Sequence, residues 1–257
     1  MPDKAIKKRV NLDNVAIILV EPQIPENIGS VARAMNNMGM DKLILVNPKN
    51  NDREKILKVA TEHSSRIVDQ IKIFDDLRKS LEPFGYVAGT TARTGSSRPA
   101  LTDPRQLAAG LISISQKNSI AVIFGPEDRG LSNEHLRYCH TITTIPTSEF
   151  SSLNLAQAVM IICYEILVAG KENSKKTALR LANKFELEGM YDHIEDVLSK
   201  IGFLNPQNPE HWMLNIRRIC NRFPLKAKDA RTIRGICRQI DWYTGKNETS
   251  EIKEEKK

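Results

Sequence analysis

Short apolar segments alternate with longer helical patterns over the first two thirds of this 257-residue chain. The apolar segments are rich in Val and Ile and end at Pro, Gly or Asn, as buried strands do. Five strands are predicted, at residues 15–20, 42–46, 86–89, 120–124 and 141–145. Five helices are predicted, at residues 27–38, 53–64, 75–81, 103–113 and 155–169. Such alternation favours an α/β domain with a mainly parallel sheet.

The chain changes character after Gly170, where a polar segment without periodicity is typical of a linker. Helical apolar spacing returns at residues 176–201, 209–223 and 227–242, so a small helical domain is predicted. The last residues are almost all charged or polar, which favours disorder. The predicted units are the α/β domain at 1–170, the helical extension at 171–245 and a disordered tail at 246–257.

Charge and hydropathy exclude several classes of protein. No apolar run approaches the roughly 20 residues that span a bilayer, and residues 1–14 lack the apolar stretch of a secretory signal. The four cysteines include no C-x-x-C pair and are too few for a disulfide scaffold. We therefore expect a cytoplasmic protein that is not inserted in a membrane.

Cys139 and His140 are adjacent and both are metal-ligand types, but no further ligands follow at suitable spacing. We expect Cys139 to be buried and structural, and no metal to be required. The net charge of +7 is unevenly distributed, because residues 211–240 contain Asp229 as their single acid. The basic residues in that range are Arg217, Arg218, Arg222, Lys226, Lys228, Arg231, Arg234 and Arg238.

Several common nucleotide sites are excluded by spacing. Residues 125–130 resemble the glycine frame of a P-loop, but Leu131 and Ser132 stand where Lys and Ser or Thr would hold phosphate and magnesium. No G-x-G-x-x-G follows the first strand, and no G-x-S-x-G hydrolase motif is present. A nucleoside triphosphatase, a Rossmann enzyme and an α/β-hydrolase are thus disfavoured.

Three other segments lie where a predicted strand gives way to a loop or helix, the edge at which α/β proteins bind ligands. They are N-x-G-x-x-x-R at Asn27, Gly29 and Arg33; F-G-P-E-x-x-G-L at 124–131; and I-P followed by S-S-L-N-L-A at 145–156. Each also has an ordinary interpretation. Arg33 suits a solvated helix flank, Glu127 a solvated turn, and Ser151, Ser152 or Asn154 a helix cap.

Together the three segments resemble the motifs of the SPOUT-class RNA 2′-O-ribose methyltransferases over about the first 170 residues. Within that class the chain most resembles the TrmJ-type tRNA methyltransferases, which modify nucleotide 32 of the anticodon loop. The resemblance implies a deep C-terminal trefoil knot in the α/β domain, a homodimer, tRNA as partner and S-adenosylmethionine as cofactor. It also implies that the helical extension binds tRNA.

The resemblance also assigns roles to residues. Arg33 and Ser152 match catalytic positions, and Asn27 and Glu127 match motif positions that support the site. The positions that match cofactor contacts are Thr90, Thr91, Ala92, Gly125, Ile145, Ser151, Ser152 and Leu153. For the RNA we expect contacts from Arg33, Arg93, Arg217, Arg218 and Arg234. Two alternatives stay open: a related enzyme that methylates ribosomal RNA, and a non-catalytic RNA-binding protein of the same fold.

Overall fold

The computed structural model describes residues 8–92, 101–149, 152–171, 180–205, 208–221 and 224–254. The chain divides into two units, Met1–Arg180 and Leu181–Lys257. This boundary lies ten residues after the predicted one. Gly170 and Lys171 stay with the first unit because they pair with Arg9 and Lys8, whereas Leu181 bridges to Lys226 in the second.

Among the described residues of the first unit, nine strands form two sheets. In chain order they are β1 (Lys8–Arg9), β2 (Val15–Val20), β3 (Lys42–Val46), β4 (Lys72–Phe74), β5 (Tyr86–Thr90), β6 (Leu101–Thr102), β7 (Ile120–Phe124), β8 (Thr141–Thr143) and β9 (Gly170–Lys171). Strands β1 and β9 form a small antiparallel pair. The main sheet has the order β4-β3-β2-β7-β5-β8-β6, and every neighbouring pair in it is parallel.

The predicted parallel α/β architecture is confirmed, and so are the five predicted strands. Strand β8 ends two residues before the predicted limit, at Thr143. Strands β4 and β6 escaped prediction because they have three and two residues, too few to show a periodic pattern.

Ten α-helices connect and follow the strands in the part of the chain that the structure describes. They are α1 (Pro25–Asn37), α2 (Arg53–Val59), α3 (Ser65–Asp69), α4 (Leu77–Leu81), α5 (Pro104–Ile114), α6 (Asn133–Leu136), α7 (Leu155–Val168), α8 (Lys184–Lys200), α9 (Pro209–Asn221) and α10 (Ala227–Glu254). The helix predicted at 53–64 is interrupted, because Ala60 takes an extended conformation between α2 and a 3-10 turn at Glu62–Ser64. Within the ranges that the structure describes, no helix is both long and apolar enough to cross a membrane.

Strand β2 shows how the sheet is covered on both faces. Its six residues are all buried, and successive side chains of a strand point to opposite faces. Val15, Ile17 and Leu19 accordingly join the apolar layer that contains residues of α1, α5 and α7. Their neighbours Ala16, Ile18 and Val20 join the layer on the other side, which contains residues of α4 and α6. A parallel sheet covered in this way leaves its strand ends for ligands.

The second unit contains α8, α9 and α10 and has a core that includes Leu187, Met190, Met213 and Ala230. Helix α10 continues to Glu254, so it includes residues 246–254 of the segment predicted to be disordered. Charge alone suggested disorder, but this stretch has no proline and contains Lys and Glu, which are good helix formers.

Candidate functional site

Loops after strands β5, β7 and β8 surround a cavity of about 450 Å³, together with the start of α7. That volume suits a small-molecule site. The cavity wall includes apolar groups such as Phe124 and Leu155 and hydroxyl groups such as Thr143. Seven of the eight predicted cofactor contacts line it: Thr90, Thr91, Ala92, Gly125, Ile145, Ser152 and Leu153. The eighth, Ser151, falls outside the described residues, as does the predicted RNA contact Arg93.

Two hydrogen bonds connect the three loops at the cavity. The Thr91 N–H donates to the Thr143 carbonyl at 3.1 Å, which joins the end of β5 to the end of β8. The Thr90 hydroxyl donates to the Ile123 carbonyl at 3.1 Å, which joins β5 to β7. These bonds fix the ends of the three strands relative to one another beside the cavity.

Gly125 is required by the protein's own backbone. A Cβ at this position would stand 2.2 Å from the Gly130 carbonyl carbon and 2.2 Å from the Leu131 nitrogen. The loop closes on itself there, with the Gly130 N–H donating to the Pro126 carbonyl at 2.8 Å and Gly130 at a φ of +64°. Gly125 is therefore small because the space beside it holds residues 130 and 131.

Gly29, in the first motif, has a similar structural role at a different place. A Cβ there would stand 2.2 Å from the Ile56 carbonyl oxygen, so the glycine lets α1 approach the backbone of α2. Gly29 thus positions the helix that carries Asn27 and Arg33.

Glu127 holds the start of α1 against the cavity loop. Its carboxylate accepts hydrogen bonds from the Gln23 N–H at 3.0 Å, the Ile24 N–H at 3.4 Å and the Asn27 side-chain amide at 2.9 Å. A negative charge at the start of a helix is favoured because free N–H groups point towards it. The solvated-turn interpretation of Glu127 is therefore wrong, and the carboxylate is fixed by three donors.

Asn27 also contacts the third motif. Its side-chain oxygen accepts a hydrogen bond from the Asn154 amide at 3.2 Å. Asn154 also caps α7, since its side-chain oxygen accepts from the Ala156 N–H at 2.9 Å and its own N–H donates to Gln157 at 3.3 Å. One chain of contacts, from Glu127 through Asn27 to Asn154, joins all three motifs. The sequence indicated Asn154 only as a cap, and its link to Asn27 required the fold.

Arg33 lies on α1 six residues after Asn27 and is exposed. The helix buries Ile28, Val31 and Met35 on its other side. Arg33 makes no ion pair with the described residues and is not part of the described cavity wall. Its guanidinium is thus presented to solvent from the helix that Glu127 and Asn27 fix in place.

Arg129 is a charged part of the cavity wall that was not predicted. It forms ion pairs with Glu21 and, at 3.3 Å, with Asp128. Its position in the middle of the second motif was the available signal. The pairs hold the outer part of this loop against the end of β2.

Cys139 is buried, as predicted. His140 accepts a hydrogen bond at Nδ1 from the Val87 N–H at 3.0 Å and stacks on Tyr86 with 5.1 Å between ring centroids. Burial raises the pKa of Tyr86 to about 12. These contacts give the Cys139–His140 pair a place in the core.

The predicted RNA-contacting arginines of the helical unit differ in their surroundings. Arg217 Nη1 lies 2.8 Å from both carboxylate oxygens of the buried Glu188, and its guanidinium stands 4.3 Å above the ring of Tyr191. Arg217 thus takes part in packing between helices, and its assignment as an RNA contact stays a prediction. Arg218 and Arg234 are exposed.

Two family models match the chain. The SpoU rRNA methylase family model matches residues 14–164, and the model of the C-terminal domain of the tRNA methyltransferase TrmJ matches residues 185–253. The two matched segments fall in the two structural units.

Similar proteins span nearly the full length of the chain. A protein of Pectobacterium atrosepticum named tRNA (cytidine/uridine-2′-O-)-methyltransferase TrmJ is 35% identical over 237 residues, covering 89% of this chain and 97% of its own. A Pseudomonas aeruginosa protein named tRNA (cytidine/uridine/adenosine-2′-O-)-methyltransferase TrmJ is 36% identical over 239 residues, covering 88% and 93%. The crystal structure of TrmJ from Z. mobilis superposes with a TM-score of 0.77 at 31% identity, covering 88% and 98%.

Proposed function

Because the chain belongs to the SpoU rRNA methylase family, we propose that it methylates the ribose 2′-hydroxyl of tRNA with S-adenosylmethionine as methyl donor. The observation that carries the proposal is the chain of contacts from Glu127 through Asn27 to Asn154, which unites three motifs around one cavity. The match of residues 185–253 to the TrmJ C-terminal domain favours tRNA over ribosomal RNA. We further propose nucleotide 32 of the anticodon loop as the site, by the resemblance to TrmJ-type enzymes.

The cavity suits S-adenosylmethionine. Apolar groups such as Phe124, Ile145 and Leu153 can pack against a flat adenine, and the hydroxyl groups of Thr90 and Ser152 can bond to polar parts of the molecule. When bound, this cofactor supplies a methyl group on a positively charged sulfur. Ser151, Thr91, Ala92 and Gly125 complete the proposed contacts.

Methyl transfer forms a bond between the ribose 2′-oxygen and the methyl carbon while the carbon–sulfur bond breaks, and the hydroxyl loses its proton. The protein must therefore place the hydroxyl in line and stabilise negative charge on its oxygen. Arg33 can supply that charge stabilisation and also hold a neighbouring phosphate. A guanidinium stays protonated and is a poor base, so we assign the proton to water.

Ser152 lies in the cavity wall and would orient either the ribose hydroxyl or Arg33. Glu127 and Asn27 act through position, because their side chains hold the start of the helix that carries Arg33. These four residues are our proposed catalytic set.

The strand order supports the proposed trefoil knot. Strand β8 follows β5 and β6 in the chain but lies between them in the sheet. A later strand that enters the sheet between two earlier ones is the arrangement a knot requires.

A homodimer is also proposed. Tyr164 and Val168 are four residues apart on α7, and each leaves more than half of its surface exposed, at 52% and 53%. Apolar side chains repeated on one helix face are typical of an interface. A tRNA substrate would place the enzyme in the cytoplasm.

Replacing Arg33 with Ala tests the proposal. Methyl transfer to tRNA should fall at least about 100-fold, as loss of a charge-stabilising donor does, while calorimetry should show nearly unchanged affinity for S-adenosylmethionine. Arg66→Ala is the matched control, since Arg66 is an exposed arginine on α3. Activity of Arg33→Ala within a few fold of wild type would show that Arg33 has another role.

A further inference from the structure

Strands β2 and β3 lie side by side and end in the same kind of turn. The residue after each strand has a positive φ, +50° at Glu21 and +45° at Asn47. Each of these residues donates its N–H to the end of the next strand in the sheet, Glu21 to the Val46 carbonyl and Asn47 to the Phe74 carbonyl, both at 2.7 Å. The backbone conformation and its hydrogen bond are therefore alike at the two positions.

The residue types at these two positions differ, and the difference concerns strain. Asparagine enters the left-handed region readily, whereas a glutamate there is uncommon and raises the energy of the folded state. Strained residues of this kind are retained mostly beside functional sites. Since Asn47 shows that the turn itself can be made by asparagine, we look for the role of Glu21 in its side chain.

The Glu21 carboxylate forms an ion pair with the Arg129 guanidinium. The Glu21 side chain is 25% exposed, whereas Arg129 is 51% exposed and belongs to the cavity wall. A long arginine side chain loses rotamer freedom when it binds a ligand, and a partner that already holds it reduces this loss. Glu21 thus holds a cation in place at the wall of the cavity.

The charges of the cavity wall complement those of S-adenosylmethionine. The cofactor has two positive groups, the sulfonium and the ammonium, and one negative group, the carboxylate. Among the described residues of the wall, the acids are Glu127 and Asp128 and the cation is Arg129. Asp128 and Arg129 are neighbours, 3.3 Å apart and each 51% exposed. An adjacent acid and cation suit a ligand group that has an ammonium and a carboxylate on one carbon atom.

We propose that Arg129 binds the carboxylate at the amino-acid end of S-adenosylmethionine, and that Glu21 is the positioning residue that holds Arg129 for this contact. The proposal rests on the proposed function in one respect, that this cofactor occupies the cavity. A guanidinium has several N–H donors in a planar fork, so it can bond to a ligand carboxylate and to a protein carboxylate at once. A phosphate of the RNA is the other anion that an arginine at the cavity wall could bind, and the experiment below separates the two.

Calorimetric titration of the full-length protein with S-adenosylmethionine, and separately with decarboxylated S-adenosylmethionine, tests the proposal. Arg129→Ala should weaken S-adenosylmethionine binding about tenfold, the effect of losing one charge-assisted hydrogen bond. The same variant should bind the decarboxylated analogue as well as the wild type does, or better. Arg53→Ala is the matched control, since Arg53 is an exposed arginine of α2 that pairs with Asp69 at 2.6 Å. Equal losses for both ligands, or no loss for either, would overturn the assignment of the carboxylate to Arg129.

Glu21→Asn separates the positioning role from a role in folding. Asparagine suits the positive φ, so Tm should stay the same or rise. The affinity for S-adenosylmethionine should nevertheless fall about threefold, the effect of losing a partly exposed ion pair. In the Arg129→Ala background the same substitution should leave affinity unchanged, because Glu21 acts through Arg129. Wild-type affinity in Glu21→Asn, or a loss that persists in the Arg129→Ala background, would contradict the positioning role.

Binding of tRNA by the same variants separates the carboxylate from a phosphate. If Arg129→Ala binds S-adenosylmethionine normally but binds tRNA more weakly, Arg129 holds a phosphate and the proposal fails. If Arg129 distinguishes the cofactor from its decarboxylated analogue but tRNA is not methylated, the proposed function fails and the role of Arg129 stands. If the wild-type protein binds neither ligand, both proposals fail.

Discussion

Glu127 and Glu188 are two carboxylates that hold elements together, one in each structural unit, and they do so in different ways. Glu127 accepts hydrogen bonds from two backbone N–H groups and the Asn27 amide at the start of α1. Glu188 is buried and bonds through both oxygens to Arg217 on another helix. The first contact fixes a loop beside a cavity, and the second fixes the packing of two helices.

The comparison shows where side chains remain available for function. In the first unit, the side chains held by hydrogen bonds, such as Glu127 and Asn27, lie beside the cavity. The polar contacts and the candidate site are therefore in the same place. In the helical unit the ion pair is inside, and the exposed charges lie elsewhere, on residues such as Arg218 and Arg231. The contacts of an arginine in a basic segment therefore indicate whether it packs inside the protein or faces solvent. Its charge alone does not.

Breaking the buried ion pair should have the largest effect on stability. Arg217→Ala leaves the Glu188 carboxylate buried without its guanidinium partner, which costs about 3 kcal/mol of unfolding free energy. Denaturant unfolding, followed by circular dichroism, measures this loss. Arg218→Ala is the matched control, because Arg218 is the neighbouring exposed arginine, and it should change stability by less than about 0.5 kcal/mol.

Equal stability of the two variants would contradict the assignment of Arg217 to packing. A large loss of RNA affinity in a fully stable Arg217→Ala protein would support the prediction that this residue contacts RNA.

Disturbing the loop that carries Glu127 should affect cofactor binding next. A Cβ in Gly125→Ala would collide with the backbone of residues 130 and 131, so the loop must move. We expect S-adenosylmethionine affinity to fall at least about tenfold, equal to ~1.4 kcal/mol, in a calorimetric titration. Gly110→Ala is the control, since nothing lies within 4 Å of its Cβ position on α5.

Gly110→Ala should bind the cofactor normally and should even gain up to ~1 kcal/mol of stability, because alanine favours a helix. Wild-type cofactor affinity in Gly125→Ala would mean that the closed loop is not needed for the cavity.

Acidification should produce the smallest effect, at the contact between α8 and α10. Hydrogen bonds from Lys200 and His193 hold the pKa of Asp241 below its ordinary value of 3.8. A lowered pKa in the folded state stabilises the protein above the ordinary pKa, and this contribution disappears as the pH falls through the lower folded value. Asp241→Asn should therefore lower Tm slightly at pH 7 and converge with wild type only below pH 3.8. A difference that grows on acidification would contradict this sign.

The parallel architecture could be predicted because buried strands such as β2 and β7 are continuous apolar runs with clear ends. The short strand β6 could not be predicted, because its two residues are defined only by pairing with β8. Strand β9 could not be predicted either, and its pairing with β1 places the boundary between the units later than the predicted one. Long-range pairing of this kind leaves no local pattern.

The candidate site could be predicted as a set of motif positions, since each motif follows a strand end. The sequence could not show why residue 125 must be glycine, because its close neighbours are backbone atoms of residues 130 and 131 in a closed loop. The link from Asn27 to Asn154 joins positions 127 residues apart and needs the fold. Arg217 and Arg218 are adjacent in sequence, and helix packing decided which of them points inward.

The most direct test of the central claim is to map the product by mass spectrometry after incubating the purified protein with bulk tRNA and S-adenosylmethionine. The wild-type protein should add a methyl group to the ribose of nucleotide 32, and Arg33→Ala should add none. A methyl group found on a base, transfer to ribosomal RNA alone, or equal product from Arg33→Ala would contradict the account.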